Sequence, residues 1–409
     1  MKWIAAAAWA LAASAALGAG PDISGQVRPI VTHVQAAALG PVAQADGLVP
    51  GLVAPPASSL ALETELRAGG FGITAVGTAR QQRPEHAATS SSGWMNELYW
   101  SGGRGGWQFA VGKRIVAWDV GYGFRPNDFV EQEARRLLLA TTPSGRPLAM
   151  AEYFDASTAV SLVWVNPNQP RERLGAQEPA LAARVYQRDG AIDWHGFARW
   201  GAHTGGSVGA ALAWVAGDSL ELHASVRWLD AADTVAIDPA ASGLVRSNPW
   251  QPASIRHAAQ ALVGGTWTNA DQLSLLAEAW WDGTAPSNAQ WNAWNARNAQ
   301  LAGFIGGPAP AAAVAGNLAW QATGLTASSN LRRANLYARL SWTWDKWQPA
   351  IDLFVTPADR GRVVTASLGW QGDRLRLDAG WRTVGGPSAA ILPQTPTRRT
   401  VYAAATWTF

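Results

Sequence analysis

Three features of the amino-acid sequence predict an all-β fold: a transmembrane antiparallel up-and-down β-barrel of about 18 strands. After residue 60 the chain repeats segments of roughly ten residues in which apolar and polar side chains alternate, the period of a strand with one oily and one wet face. Tryptophan is abundant, 24 in 409 residues, and recurs at the ends of the apolar rows. An indole suits the boundary between hydrocarbon and water. Short Gly- and Asp-rich turns alternate with mostly longer links, the rhythm of a barrel whose two rims carry unlike connections. A soluble sandwich would instead bury its tryptophan rows in a core and has no need of that rhythm.

The first element is a leader. Lys2 precedes the apolar run 3–17 (WIAAAAWALAASAAL) and a patch of small residues, the three-part form of an export signal ending near residue 20. The run is short for a spanning helix, which needs about twenty apolar residues. Residues 1–20 are therefore expected to be a cleaved signal peptide, and 21–409 a single barrel domain. Its first strand falls at 24–35, where Pro29 interrupts the pattern.

Four later strands show the alternation most clearly. Segment 191–200 sets Ile192, Trp194, Ala198 and Trp200 against Asp193, His195, Phe197 and Arg199. Segments 219–228, 333–344 and 373–382 repeat it, each ending its apolar row on Trp. Turns are expected at 68–70, 102–106, 155–157, 188–190, 216–218, 268–270, 345–346 and 371–372. The other connections are 37–59, 81–92, 117–146, 166–180, 201–206, 229–255, 283–330, 356–361 and 383–397, with 117–146 and 283–330 as the major extracellular loops. Counting back from an inward-running last strand gives 18 strands; 16 or 14 follow if a hairpin is miscounted.

With apolar rows outward, Arg184, Arg188, Arg199, Arg227, Arg333, Arg339, Arg374, Arg376 and Arg382 face the lumen. Arg184, Arg199, Arg227, Arg339, Arg374, Arg376 and Arg382 are the candidate solute contacts, because a ring of permanent cations favours anions. Glu63, Glu65, Glu97, Asp193, Glu221, Glu278, Asp352 and Asp378 share that interior, so pairing across neighbouring strands is the plainer expectation. Loop 117–146 carries an Asp128-x-x-Glu131 capping box leading into Leu137–Leu139, a helix of about three turns. It either folds inward as a constriction, with Trp118, Asp119, Arg125, Asp128, Glu131, Arg135 and Arg136 at the narrowing, or lies over the mouth as a lid. Trp291 and Trp294 in loop 283–330 are either a sugar-stacking platform or, more plainly, rim packing.

Other chemistries find little support. Zero Cys removes disulfide, thiolate-metal and haem-attachment motifs. The six His show no metal-ligand spacing, and no cofactor-binding motif is present. Net charge is +3 without a basic run, so no nucleic-acid partner is expected. Gly205–Gly209 fits Gly-x-Ser-x-Gly, which with His203 leaves a barrel-wall hydrolase using Ser207 as a remote alternative.

The last ten residues, TVYAAATWTF, alternate and stop on Trp407 and Phe409. They resemble the terminal strand of Gram-negative outer-membrane β-barrels. The resemblance implies an integral outer-membrane location among lipids and lipopolysaccharide, and insertion by the barrel-assembly machinery, with Trp407 and Phe409 as the assembly signal. Segment 111–136 is also similar to alginate-export-type and related porin-like barrels through Gly112, Lys113, Arg114, Trp118, Phe124, Pro126, Asp128 and Phe129. It departs from them in having Asp119 after Trp118 where Gly is expected. That likeness implies a passive conduit, including for an anionic glycan. The expected function is thus a porin-like channel for passive transport or export of polar or anionic solutes or glycans. A closed surface barrel that binds glycans or acts as a scaffold is the alternative. Solute and oligomeric state are left open.

Overall fold

A computed structural model describes residues 22–53, 56–130, 143–170, 172 and 175–409. The expected leader, and Glu131, Arg135, Arg136 and the helix through Leu137–Leu139, lie outside the described residues. The strands form one 18-stranded sheet in which every neighbour is antiparallel. It closes on itself because β1 (Asp22–Ala36) pairs with both β2 (Ser59–Gly70) and β18 (Thr397–Thr408). Closure removes the unpaired edges that an open sheet would carry. At the seam, the Gly25 and Phe409 amides each donate to the other's carbonyl, at 2.9 and 3.0 Å. Pro29 does lie inside β1, and the ladder to β18 passes from Val27 to Ile30 around it.

The remaining strands follow in chain order: β3 (Ile73–Pro84), β4 (Ser90–Arg104), β5 (Trp107–Arg114), β6 (Arg146–Phe154), β7 (Thr158–Val165) and β8 (Ala180–Asp189). Then come β9 (Ile192–Gly201), β10 (Gly205–Val215), β11 (Leu220–Ile237), β12 (Trp250–Thr268), β13 (Leu273–Asp282), β14 (Ala334–Trp342), β15 (Trp347–Thr356), β16 (Gly361–Gln371) and β17 (Leu375–Gly385). All eight short turns fall on one rim, that at 155–157 in its expected place and the others within three residues of theirs. Two links contract most from the lengths the pattern suggests. β11 and β12 extend to Ile237 and from Trp250, so 229–255 contracts to 238–249, and 81–92 contracts to 85–89.

The outer face is apolar and exposed, as at Leu60, Leu62, Leu162, Val226, Ile351 and Leu377. Trp100, Trp107, Trp214, Trp267 and Trp342 mark the short-turn side, and Trp164, Trp200, Trp228 and Trp281 the other. Exposed tryptophans in two belts are the arrangement of a membrane wall rather than a soluble core.

The long-link rim is more structured than expected. Link 37–58 holds helix α1 (Pro41–Leu48), and link 283–333 holds α2 (Asn288–Ala302) and α3 (Ala311–Trp320). Ser287 and Gln290 make a reciprocal capping box that starts α2. Ala45, Leu301, Val314, Ala315 and Leu318 share a small core with Leu244 of link 238–249. Trp291 and Trp294 are 2% and 4% exposed, packed with Ile391 and Trp250. Their faces are therefore filled by protein, which rules out the sugar platform.

Candidate functional site: a constricted lumen

The inner wall is divided between an apolar and a polar half, and this division decides where the chain can leave space. β7 (TAVSLVWV) is apolar on both faces: Val160, Leu162 and Trp164 point out, while Val163 and Val165 are buried inside. With Leu148, Met150, Ala182 and Phe197 they make an apolar inner surface that needs a cover. Residues 115–130 of the link from β5 to β6 supply it and reach on to Glu278 of β13. Trp118, Phe129 and Val130 pack on that surface, and the Phe129 ring meets Phe197 nearly edge-on at 6.0 Å.

Polar ties then fix the inward segment. Asp119 accepts from the Asn127 amide (2.6 Å) and from the Ser225 hydroxyl (2.9 Å). The Asn127 side-chain amide donates to Ser225 Oγ and to the Val226 carbonyl. Gly209 has no side chain because Asn127 occupies the place of its Cβ. Arg227 lies 4.5 Å above the Phe129 ring and donates to the Pro126 carbonyl and to Ser207 Oγ. The tip is held on the far wall, where the Tyr122 and Gly123 amides donate to Glu278 at 2.6 and 2.7 Å.

What remains beside it is an off-centre cavity. Tyr122, Arg125 and Asp128 of the inward segment face Tyr337, Arg339, Asp352, Thr365 and Arg382 of the wall across a cavity of about 550 Å³. Ser329–Leu331 and Leu392, from the long links, complete its lining. Tyr122 stacks on Tyr337 at 5.9 Å, and Phe124, Trp280 and Phe354 form a second stack. Another hollow, about 640 Å³, lies at the short-turn rim between turns 269–272 and 343–346, away from the lumen.

The candidate cations fall into distinct situations. Arg339 is 2.9 Å from Asp352, which also accepts from the Tyr337 hydroxyl. Arg382 donates to Thr365 Oγ1 at 2.9 Å, and both residues line the cavity. Arg376 is paired with its neighbour Asp378, and Arg184 stands over Tyr186. Arg199 is bound to Glu178 at 2.7 Å beneath link 166–179, and Arg227 serves as a strut. Arg374 is a correction: the turn continues through it and β17 begins at Leu375, so it sits on the short-turn rim rather than on the lumen wall. Ion pairs account for three of these cations, Arg199, Arg339 and Arg376, and of the three only Arg339–Asp352 joins neighbouring strands as expected.

Two carboxyls outside the strands organise the long-link rim. Burial pushes Glu178 up, but Arg199, the Thr204 hydroxyl and the His203 amide outweigh it and hold the group below its ordinary range. Asp359 takes two bonds from Arg332, one from the Ile391 amide and one from the Thr356 hydroxyl, tying three links together. His203 is 2.9 Å from Asp233, and Ser207 opens strand β10 with its hydroxyl accepting from Arg227. The described hydrogen bonds do not join Ser207 to His203, and a strand, not a helix, follows the motif, so the elbow geometry is not formed.

Sequence reasoning did not single out Tyr122, Asn127, Ser225 or Tyr337. The doubly apolar β7 and the Gly121–Phe124 stretch, an aromatic-glycine tip, were the available signals.

No family model matches the chain, and no curated protein does. Solved structures do. OccK5 (OpdH) of Pseudomonas aeruginosa is 11% identical with a TM-score of 0.53, over 95% of this chain and 98% of that one. The outer membrane protein opdK of the same organism is 8% identical, also at 0.53, over 95% and 98%. OccAB1 of Acinetobacter baumannii is 9% identical at 0.51, over 95% and 96%. Likeness at such identities speaks for architecture. The closed antiparallel barrel of 18 strands is the fold of outer-membrane porins.

Proposed function

We propose that the chain is an integral outer-membrane channel through which polar small solutes, with anions favoured, diffuse passively. The carrying observation is the inward segment: it is fixed by Asp119, Asn127 and Glu278, and it narrows the lumen without filling it. The passage left beside it is lined by Arg125, Arg339 and Arg382 against Asp128 and Asp352. The two exposed tryptophan belts support membrane residence among lipids and lipopolysaccharide. In this reading the chain is exported by its leader and inserted by the barrel-assembly machinery. Trp407 and Phe409, exposed on the last strand, are the signal which that machinery reads.

A closed scaffolding or glycan-binding barrel remains the second reading, favoured by the helical cover with its own core on the long-link rim. Planar-bilayer recording of the purified protein decides between them. Steady unitary conductance with an anion-leaning reversal potential is expected; a protein that inserts but never conducts refutes the channel. Liposome swelling with neutral sugars against sugar acids then separates glycan passage from that of small anions.

A further inference from the structure

Glu278 is 3% exposed in the middle of β13, an expensive place for a carboxylate unless several donors meet it. They do. Oε1 accepts from the Tyr122 amide and Oε2 from the Gly123 amide, and the His223 ring stands 3.0 Å from Oε1. His223 reaches in turn to Glu221, 3.2 Å away. Two successive backbone amides pointing the same way form a small anion-binding concavity, and the wall itself provides the anion. The hydrogen bonds of Asp119, Asn127 and Arg227 act elsewhere, holding residues 119 and 126–129 against β10 and β11; at the tip the ring stacks of Tyr122 on Tyr337 and Phe124 on Trp280 act beside Glu278. Glu278 holds the tip, from which Tyr122 projects, 48% exposed, into the passage. A Cβ on Gly123 would lie 3.0 Å from Glu278 Oε2, so the tip is seated closely on the carboxylate.

We infer that Glu278 is a positioning residue for permeation: it sets the passage by holding the loop tip across the lumen, and it does so without touching the solute. The inference rests on the channel reading for its consequence, while the latch itself can be tested without conductance. In the Glu278→Gln variant one oxygen becomes an amide NH2 group that faces a backbone donor. The tip loses a charge-assisted bond, and the released state gains on the order of ten- to a hundredfold in population.

The chain has no Cys, so Tyr122→Cys introduces a single reporter thiol. With Glu278 intact, a charged thiol reagent at residue 122 is expected to give one rate of modification and a steady block of current. With Glu278→Gln added, the rate is expected to change by about tenfold, in line with the released population. Open-channel noise should rise and the block should become incomplete, while the barrel's melting temperature stays as in the parent. Glu278→Ala serves if the Gln variant fails to insert. Equal modification rates and equal noise in the parent and in either inserted variant overturn the inference. A protein that never conducts, yet changes its modification rate, sinks the channel reading and leaves the latch standing.

Discussion

Replacing Arg382 by Gln tests the electrostatics of the passage directly. The cavity of about 550 Å³ is equivalent to a sphere of about 5 Å radius, so an ion crossing it passes within about that distance of the lining. At 5 Å a unit charge in water is worth about 0.8 kcal/mol, close to a fourfold change in local ion concentration. Cations and anions respond in opposite senses, so the anion-to-cation permeability ratio should fall by roughly tenfold at low salt and less as screening shortens its reach. Arg339→Gln should shift the ratio further in the same direction because it leaves Asp352 without its ion-pair partner. Asp352→Asn should shift it toward anions. Arg374→Gln is the control, since that side chain stands on the short-turn rim. The assay is reversal potential under a potassium chloride gradient. Unchanged ratios for Arg382→Gln and Arg339→Gln, or a move toward cations in Asp352→Asn, refute the reasoning.

Three further outcomes follow from single contacts. Burial raises the Asp359 carboxyl, but Thr356, the Ile391 amide and Arg332 outweigh it and hold the group below its ordinary 3.8. A group lowered in the folded state stabilises fully above its ordinary value and is lost as pH falls through the lowered one. The long links should therefore resist protease at pH values above 3.8 and become cleavable below it, whereas Asp359→Asn should be nicked at neutral pH. Gly209→Ala places a methyl group where Asn127 sits. It should loosen the inward segment and raise unitary conductance while the barrel's resistance to heat in detergent gels is kept. Gly25→Leu meets the Phe409 ring, 2.7 Å from the added Cβ, and the Glu65 carbonyl at 2.9 Å. It should weaken the seam, seen as a lower temperature for the shift from folded to unfolded gel mobility.

The strands were legible because the surroundings of the wall impose a period of two on each of them. Leu222, Val226 and Trp228 point outward and Glu221, His223 and Arg227 inward, as the alternation alone predicts. Turn positions drifted because non-glycine residues adopt left-handed geometry there: Phe71 (φ 54°) marks a turn that a search for glycine places at Gly69-Gly70, and Gln272 (φ 60°) carries the turn expected at 268–270 two residues further. Arg374 was misassigned for a related reason, since the alternation runs on past the last ladder residue into the turn. Helix α2 escaped notice because its buried stripe mixes Trp291, Trp294 and Leu301 with Arg297 and Asn298, polar residues whose partners Ala241, Asn317 and Gln321 lie 20 or more residues away. The core of the site was the least legible. Glu278 and the Gly123 amide lie 155 residues apart, and no local pattern couples them.

The off-centre passage separates two kinds of work in the wall. In the proposed channel, strands β5–β13 anchor the inward segment, and β14–β17 supply most of the wall that faces the solute. Substitutions on the second group can therefore retune selectivity while the first keeps the aperture in place. Such a barrel can adapt to a new solute in small steps, because most of the residues that would choose are not the residues that hold.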